Sequence, residues 1–258
     1  MTSVTVGNAT VPYRVHGSGP GLVLVHGTGR GSVTWDGLLD RFAERHTVVL
    51  PDLSGSDLAA DDGSPLTVES LTGQLAAVVE DTGLGPVDVV GHSLGAVVAV
   101  SLAATRPELV DRLVPLAGWT GRGDEYARHT MEQFLALADH PVAFARYAML
   151  TAYGHRYLNG IGAEAVDELA KGFVPTPGRI RQFELNTRTS IEGLLPGITA
   201  PTLVIGCVED VLLPVANSRR LHAGIPGSEY AELDCGHVAR VERPGEFADL
   251  VEEFLGRR

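Results

Sequence analysis

The sequence predicts an α/β protein: a mostly parallel central sheet with helices on both faces and one helical insertion. Three observations carry the prediction. Short apolar runs at Leu22–Val25, Val87–Val90, Leu113–Ala117 and Leu203–Ile205 have the make-up of strands covered on both faces. Segments with helical spacing alternate with strands, as parallel crossovers require. Between Gly118 and Pro196 the strand runs stop, and nearly eighty residues rich in Ala, Leu, Phe and Tyr exceed an ordinary crossover.

In chain order, Val4–Val6 and Val11–Val15 flank Gly7-Asn8 and predict an N-terminal hairpin. The turn cluster Gly17–Gly21 leads into the strand Leu22–Val25, and Thr47–Leu50 is a further short strand ended by Pro51-Asp52. Leu66–Thr82 alternates at helical spacing, with Thr67 an N-cap and Gly83 a stop. Val87–Val90 is a strand and Ala96–Ala104 an almost wholly apolar helix. Inside the insertion, helices are expected around Tyr126–Ala138, Ala143–Ala152 and Glu164–Lys171. Tyr230–Leu233 is a weaker strand, and Pro244–Leu255 is a terminal helix that starts with proline and ends before Gly256. The domain reading is a core of residues 1–117 and 197–258 carrying an insertion of residues 118–196.

Composition narrows the function. An apolar fraction of 44% over 258 residues supports a sizeable core. The formal charge of −12 argues against a nucleic-acid partner or an anionic membrane surface. Cys207 and Cys235 make no disulfide framework and are expected as buried free thiols. Val87–Ala104 is interrupted by Gly91, His92, Ser93 and Gly95, so it reads as strand plus helix and not as a membrane span. The first residues carry neither a basic segment nor a long apolar run, and the expectation is a soluble cytoplasmic protein. The nine histidines show no metal-binding spacing, so neither a metal nor a cofactor is expected. A small-molecule substrate is; the oligomeric state is left open.

Gly91-His92-Ser93-Leu94-Gly95 joins the strand Val87–Val90 to the following helix, the context in which G-x-S-x-G exposes a nucleophilic serine. The competing reading is a glycine-rich bend whose serine caps the helix. Asp210, after the strand Leu203–Ile205, and His237, after Tyr230–Leu233, fall on the same sheet edge as Ser93. Serine needs a base to take its proton and an acid to hold that base, and Ser93, His237 and Asp210 supply the three groups. Glu209 competes with Asp210 for the acid's place. His26-Gly27-Thr28-Gly29 follows Leu22–Val25, so the backbone N–H groups of Thr28 and Leu94 are placed to hold an oxyanion.

These residues resemble the α/β-hydrolase superfamily over essentially the whole chain. The matching features are His26-Gly27, Asp52 with Gly55 and Ser56, Gly91–Gly95, Asp210 with Pro214, and Gly236-His237 with Glu242, Pro244 and Phe247. The resemblance implies the α/β-hydrolase fold, a Ser93–His237–Asp210 triad, and a helical cap over about Gly118–Pro196. The loop Asp52–Asp57 departs from the family's usual glycine-rich turn and receives no role. A serine hydrolase of a carboxylic ester, thioester or lactone is expected. Alternatives are a cofactor-independent perhydrolase or haloperoxidase, a carbon–carbon bond hydrolase, and a hydrolase fold used for ligand binding or non-hydrolytic biosynthesis. A dinucleotide-binding reading of Gly27–Gly31 with Asp52 fails at Ser32, where glycine is required. A dehalogenase would need a carboxylate at position 93. Trp119, Phe134, Phe144 and Tyr147 are candidate substrate contacts that favour moderately apolar acyl groups, although such aromatics also serve to pack the cap. His129, His140 and His155 are expected at its surface or lining the pocket.

Overall fold

A computed structural model describes residues 2–121 and 123–257. Strand β1 (Thr2–Val6) and β2 (Ala9–Gly17) form the hairpin around Gly7-Asn8. They are followed by β3 (Gly21–Val25), helix α1 (Asp36–Ala43), β4 (Thr47–Pro51), α2 (Val68–Thr82), β5 (Val87–His92), α3 (Leu94–Thr105) and β6 (Val110–Leu116). Four helices come next: α4 (Glu125–Ala136), α5 (Pro141–Ala152), α6 (His155–Ala170) and α7 (Pro177–Arg188). The chain then returns through β7 (Leu203–Cys207), α8 (Ala216–Gly224), β8 (Glu229–Leu233), α9 (Ala239–Glu242) and α10 (Pro244–Leu255).

The eight strands lie in the order β1-β2-β4-β3-β5-β6-β7-β8. Pairing is antiparallel from β1 to β4 and parallel from β4 onward. Alternate residues of β3 enter opposite cores, which shows why the run is apolar throughout. Val23 and Val25 pack with α2 and α3, whereas Leu22 and Leu24 pack with Trp35, Phe42, Phe247 and Phe254 on the side of α1 and α10. Among the described residues, no helix is long and apolar enough to cross a membrane. Cys207 and Cys235 are buried free thiols.

Several boundaries move for local reasons. The helix expected from Leu66 starts at Val68, because Thr67 accepts from the Ser70 N–H and Ser70 returns a hydrogen bond to the Thr67 N–H. The strand expected at Leu113–Ala117 starts at Val110 and stops at Leu116, since Ala117 adopts φ 48°. The helix expected at Glu164–Lys171 is the second half of α6, which kinks at Gly162 (φ 81°). Helices α1, α7, α8 and α9 are additional to those the sequence predicts, and α7 supplies buried side chains to the loop after β3.

The contact between α3 and β3 has no slack. A Cβ on Gly95 would lie 2.4 Å from the Val25 carbonyl oxygen and 2.5 Å from that of His26, and one on Gly91 would lie 2.3 Å from the Gly95 oxygen. Gly95→Ala is therefore expected to lower stability by about 1–3 kcal/mol or more, as overpacking against backbone does. Gly73→Ala, exposed in the interior of α2 with nothing within 4 Å of the added methyl, should instead gain about 0.5–1 kcal/mol. Urea denaturation of the two variants checks the opposite signs.

Candidate active site

The C-terminal edge of the sheet collects the predicted residues. Ser93 sits between β5 and α3 at φ 56°, ψ −120°, a conformation costly to a non-glycine residue. Its N–H donates to the Leu116 oxygen at 2.9 Å, and its side chain makes no capping hydrogen bond with α3. The hydroxyl is thus not committed to the helix. Gly27 packs against it: a Cβ there would fall 3.0 Å from the Ser93 Cβ. Leu94 opens α3, where the first N–H groups have no intrahelical acceptor.

His237 lies past β8 and its Nδ1 donates to Asp210 Oδ2 at 2.7 Å. The other oxygen, Asp210 Oδ1, accepts from the N–H groups of Leu212 (2.9 Å) and Leu213 (2.8 Å), so the carboxylate is held from both sides. With Nδ1 carrying the proton, Nε2 is left free to accept one. Ser93, Asp210 and His237 are all about 95% buried. Glu209 turns the other way: Arg156 donates to its Oε1 through Nε at 2.8 Å and again through a terminal nitrogen.

Two further histidines fix the loops. The Leu53 N–H donates to His26 Nε2 at 3.0 Å, so Nδ1 holds the proton and donates to the Gly27 oxygen at 2.7 Å. His92 Nε2 donates to the His237 carbonyl at 2.9 Å, with the two rings 4.8 Å apart. Burial lowers the pKa of both; the charge of His237 is the next cause at His92. Glu242, whose pKa burial raises, accepts from Gly154 N and Gly236 N at 3.1 Å each and ties the His237 loop to the α5–α6 junction. Asp52 is buried and binds the Ser32 N–H (2.8 Å) and hydroxyl (2.9 Å), which leaves it unsuited to a ribose.

Helix α7 was missed by sequence reasoning, and its buried face meets these loops. Gln182 Oε1 accepts from Gly29 N at 2.9 Å, Asn186 Nδ2 donates to Thr28 Oγ1 at 3.0 Å, and Arg179 forms a two-pronged pair with Asp57 at 2.8 and 2.9 Å. The available signal was Thr176-Pro177, an N-cap followed by proline at the first helical position. A cavity of about 180 Å³ lies beside α7, with Trp119, Ala127, Met131, Asn186 and Leu213 among its walls. Of the candidate contacts, only Trp119 lines it. Phe134 stacks on Phe183 (4.3 Å) and meets Tyr147 (4.8 Å) and Phe144 (5.2 Å) edge-on, an aromatic core of the inserted helices. His129, His140 and His155 are exposed.

The sequence profile described as the alpha/beta hydrolase family matches residues 22–250. The chain is 36% identical to pyrrolizixenacetamide deacetylase of Xenorhabdus hominickii, over 99% of this chain and 98% of that protein. Among solved structures, MGS-M2, an alpha/beta hydrolase enzyme from a Medee basin deep-sea metagenome library, superposes with a TM-score of 0.91 at 21% identity, covering 100% of this chain and 98% of the other. The enol-lactonase from Burkholderia xenovorans LB400 gives 0.89 at 22% identity, covering 99% and 100%.

The two buried histidines set a pH dependence. Both titrate below the ordinary 6.5 when folded, so the unfolded chain binds more protons as pH falls. Stability is full above about pH 6.5 and is lost below it, with a limiting slope of about 2.7 kcal/mol per pH unit for two protons. Urea denaturation between pH 7.5 and 5.5 should show this fall. His92→Gln, whose amide nitrogen replaces the donor to His237, should roughly halve the slope.

Proposed function

The chain belongs to the alpha/beta hydrolase family, and from that premise we propose a serine hydrolase that cleaves a carboxylic ester, thioester, lactone or amide through an acyl-enzyme on Ser93. The observation that carries the reading is the buried His237–Asp210 pair, 2.7 Å apart, on the sheet edge that bears Ser93. The full-length likeness to a protein named as a deacetylase is what supports including amides.

In this mechanism the Ser93 oxygen attacks the substrate carbonyl while His237 Nε2 takes the hydroxyl proton. Asp210 steadies the imidazolium that results, and its two backbone donors keep its own orientation fixed. Charge that develops on the carbonyl oxygen is received by the Thr28 and Leu94 N–H groups. When the tetrahedral intermediate collapses, the bond to the leaving group breaks and His237 returns the proton to it. Water, deprotonated by His237, then attacks the acyl-enzyme, and the acid departs with Ser93 restored. The α4–α7 insertion acts as a cap over this edge, with Trp119 lining the substrate cavity. Phe134, Phe144 and Tyr147 contribute to the cap's own core. The cavity's 180 Å³ favours compact groups among the moderately apolar acyl substrates expected from the aromatic content.

A fluorophosphonate probe should label the protein once, on Ser93, as read by peptide mapping. Ser93→Ala and His237→Ala are each expected to lose about 10⁴-fold or more in kcat on an activated ester, with the double variant little worse. Asp210→Asn should lose about 10³–10⁴-fold through the wrong imidazole tautomer, whereas Glu209→Gln stays within a few-fold. Labelling elsewhere, or none on folded protein, overturns the reading.

A further inference from the structure

We infer that Gln182, on the inserted helix α7, is a positioning residue for the oxyanion donor, a role that rests on the proposed acyl-enzyme at Ser93. By occupying the Gly29 N–H it fixes the peptide plane next to Thr28 and leaves the Thr28 N–H as the loop's donor to the reacting carbonyl. The two proposed donors differ in what holds them. Leu94 belongs to α3, which Gly95 seats against β3, whereas Thr28 lies on a loop. A loop peptide can turn over unless a partner holds it.

Both planes that flank the Thr28 Cα are held. In the plane before it, the Gly27 oxygen accepts from His26 Nδ1 at 2.7 Å. The described residues contain no cis peptide bond, so the Thr28 N–H points to the opposite side of that plane from the Gly27 oxygen. In the plane after it, the Gly29 N–H donates to Gln182 Oε1 at 2.9 Å. Among the described residues, the Thr28 N–H itself meets no acceptor.

Gln182 is fully buried, and its Nε2 donates to the Ser54 oxygen at 3.0 Å. The Gly29 nitrogen can only donate and the Ser54 oxygen can only accept, so both contacts require the same orientation of the amide. Its helix is seated without slack: a Cβ on Gly178 would lie 2.6 Å from the Gly55 oxygen, and one on Gly55 would lie 2.7 Å from Gln182 Cγ. One rigid side chain from a distant element thus bridges the loop after β3 and the loop after β4. Without its Oε1 the peptide between Thr28 and Gly29 is free to turn, and the Thr28 N–H loses its aim. Misplacing a catalytic group by about 1 Å costs about 10²-fold in rate, comparable with removing an oxyanion donor.

Gln182→Met keeps the length of the side chain and removes both its acceptor and its donor. On 4-nitrophenyl acetate, kcat should fall about 10–10²-fold with KM changed by no more than a few-fold. In O-4-nitrophenyl thionoacetate, C=S replaces C=O, and sulfur accepts hydrogen bonds weakly, so the thionoester rate should fall by about threefold at most. The oxygen-to-sulfur rate ratio therefore drops, whereas a loss of folded protein lowers both rates alike and cancels. Gln182→Glu keeps the acceptor for the Gly29 N–H and should hold the ratio within about twofold of native. An unchanged ratio in Gln182→Met, or an equal fall in both variants, overturns the inference. Should the methionine variant not fold, the native protein supplies the test. When 1,1,1-trifluoroacetone adds to Ser93, the amide proton of Thr28 should move downfield in the NMR spectrum and that of Gly29 should not. A downfield shift at Gly29, or none at Thr28, overturns the inference. Failure of the serine-hydrolase reading is a separate result, the absence of fluorophosphonate labelling at Ser93.

Discussion

The seat of α3 on the end of β3 is the constraint from which the rest of the sheet edge is built. Gly95 lies against the carbonyls of Val25 and His26, and Gly91 lies against Gly95, so neither position has room for a side chain. The chain turns from strand to helix in that space through a residue at φ 56°, Ser93. A non-glycine residue held there costs about 1–3 kcal/mol. The helix offsets it: every residue from Leu94 to Ala103 is buried, and nine of those ten are apolar or glycine. Burying even one such aliphatic side chain contributes about 1.5–3 kcal/mol. The strain is therefore sustained by the apolar helix behind it, and its product is a serine hydroxyl that does not cap its own helix.

Loops that meet at such an edge carry backbone groups that no strand or helix satisfies, and each must find a partner once buried. In this protein several of those partners are side chains. His26 ties the start of the β3 loop to Leu53, His92 ties the α3 turn to the His237 carbonyl, and Glu242 ties Gly236 to Gly154. The histidines do this as neutral rings, because their burial disfavours the charged form. Arg240 adds to that bias. Its buried guanidinium, lowered to about 10 by burial, contributes to depressing both rings. The position of His237 is thus fixed by bonds whose first duty is to satisfy backbone, and Asp210 then selects its tautomer.

The part of the fold legible in the sequence is the part set by burial on two faces. Leu22–Val25 had to be apolar throughout and Val87–Val90 is apolar but for the buried Asp88, so composition alone exposed them, and the glycines and acids that punctuate the strand ends marked where Ser93, Asp210 and His237 were expected. The sequence named Asp210 with the adjacent Glu209 as its competitor; in the structure Asp210 meets His237, while Arg156 on α6 binds Glu209 from a distant part of the chain. The aromatics Phe134, Phe144 and Tyr147 looked alike as pocket or packing residues; Phe134 meets both of the others, and Phe183 on α7 closes the cluster against Phe134 and Phe144. Helix α7 itself escaped detection because the face it buries is polar. Arg179, Gln182 and Asn186 recur at helical spacing, but a search for apolar periodicity passes over them.

That polar face also determines how the inserted helices can behave. Displacing α7 as a body would strip the Gly29 N–H of Gln182 and Asp57 of Arg179, and the side chain of Arg179 is only 7% exposed. The Asp57 side chain is 37% exposed, so solvent screens the pair and it restrains α7 less than a fully buried ion pair would. On the opposite side Glu242 holds Gly154, so the insertion is anchored at both the Thr28 and the His237 loops.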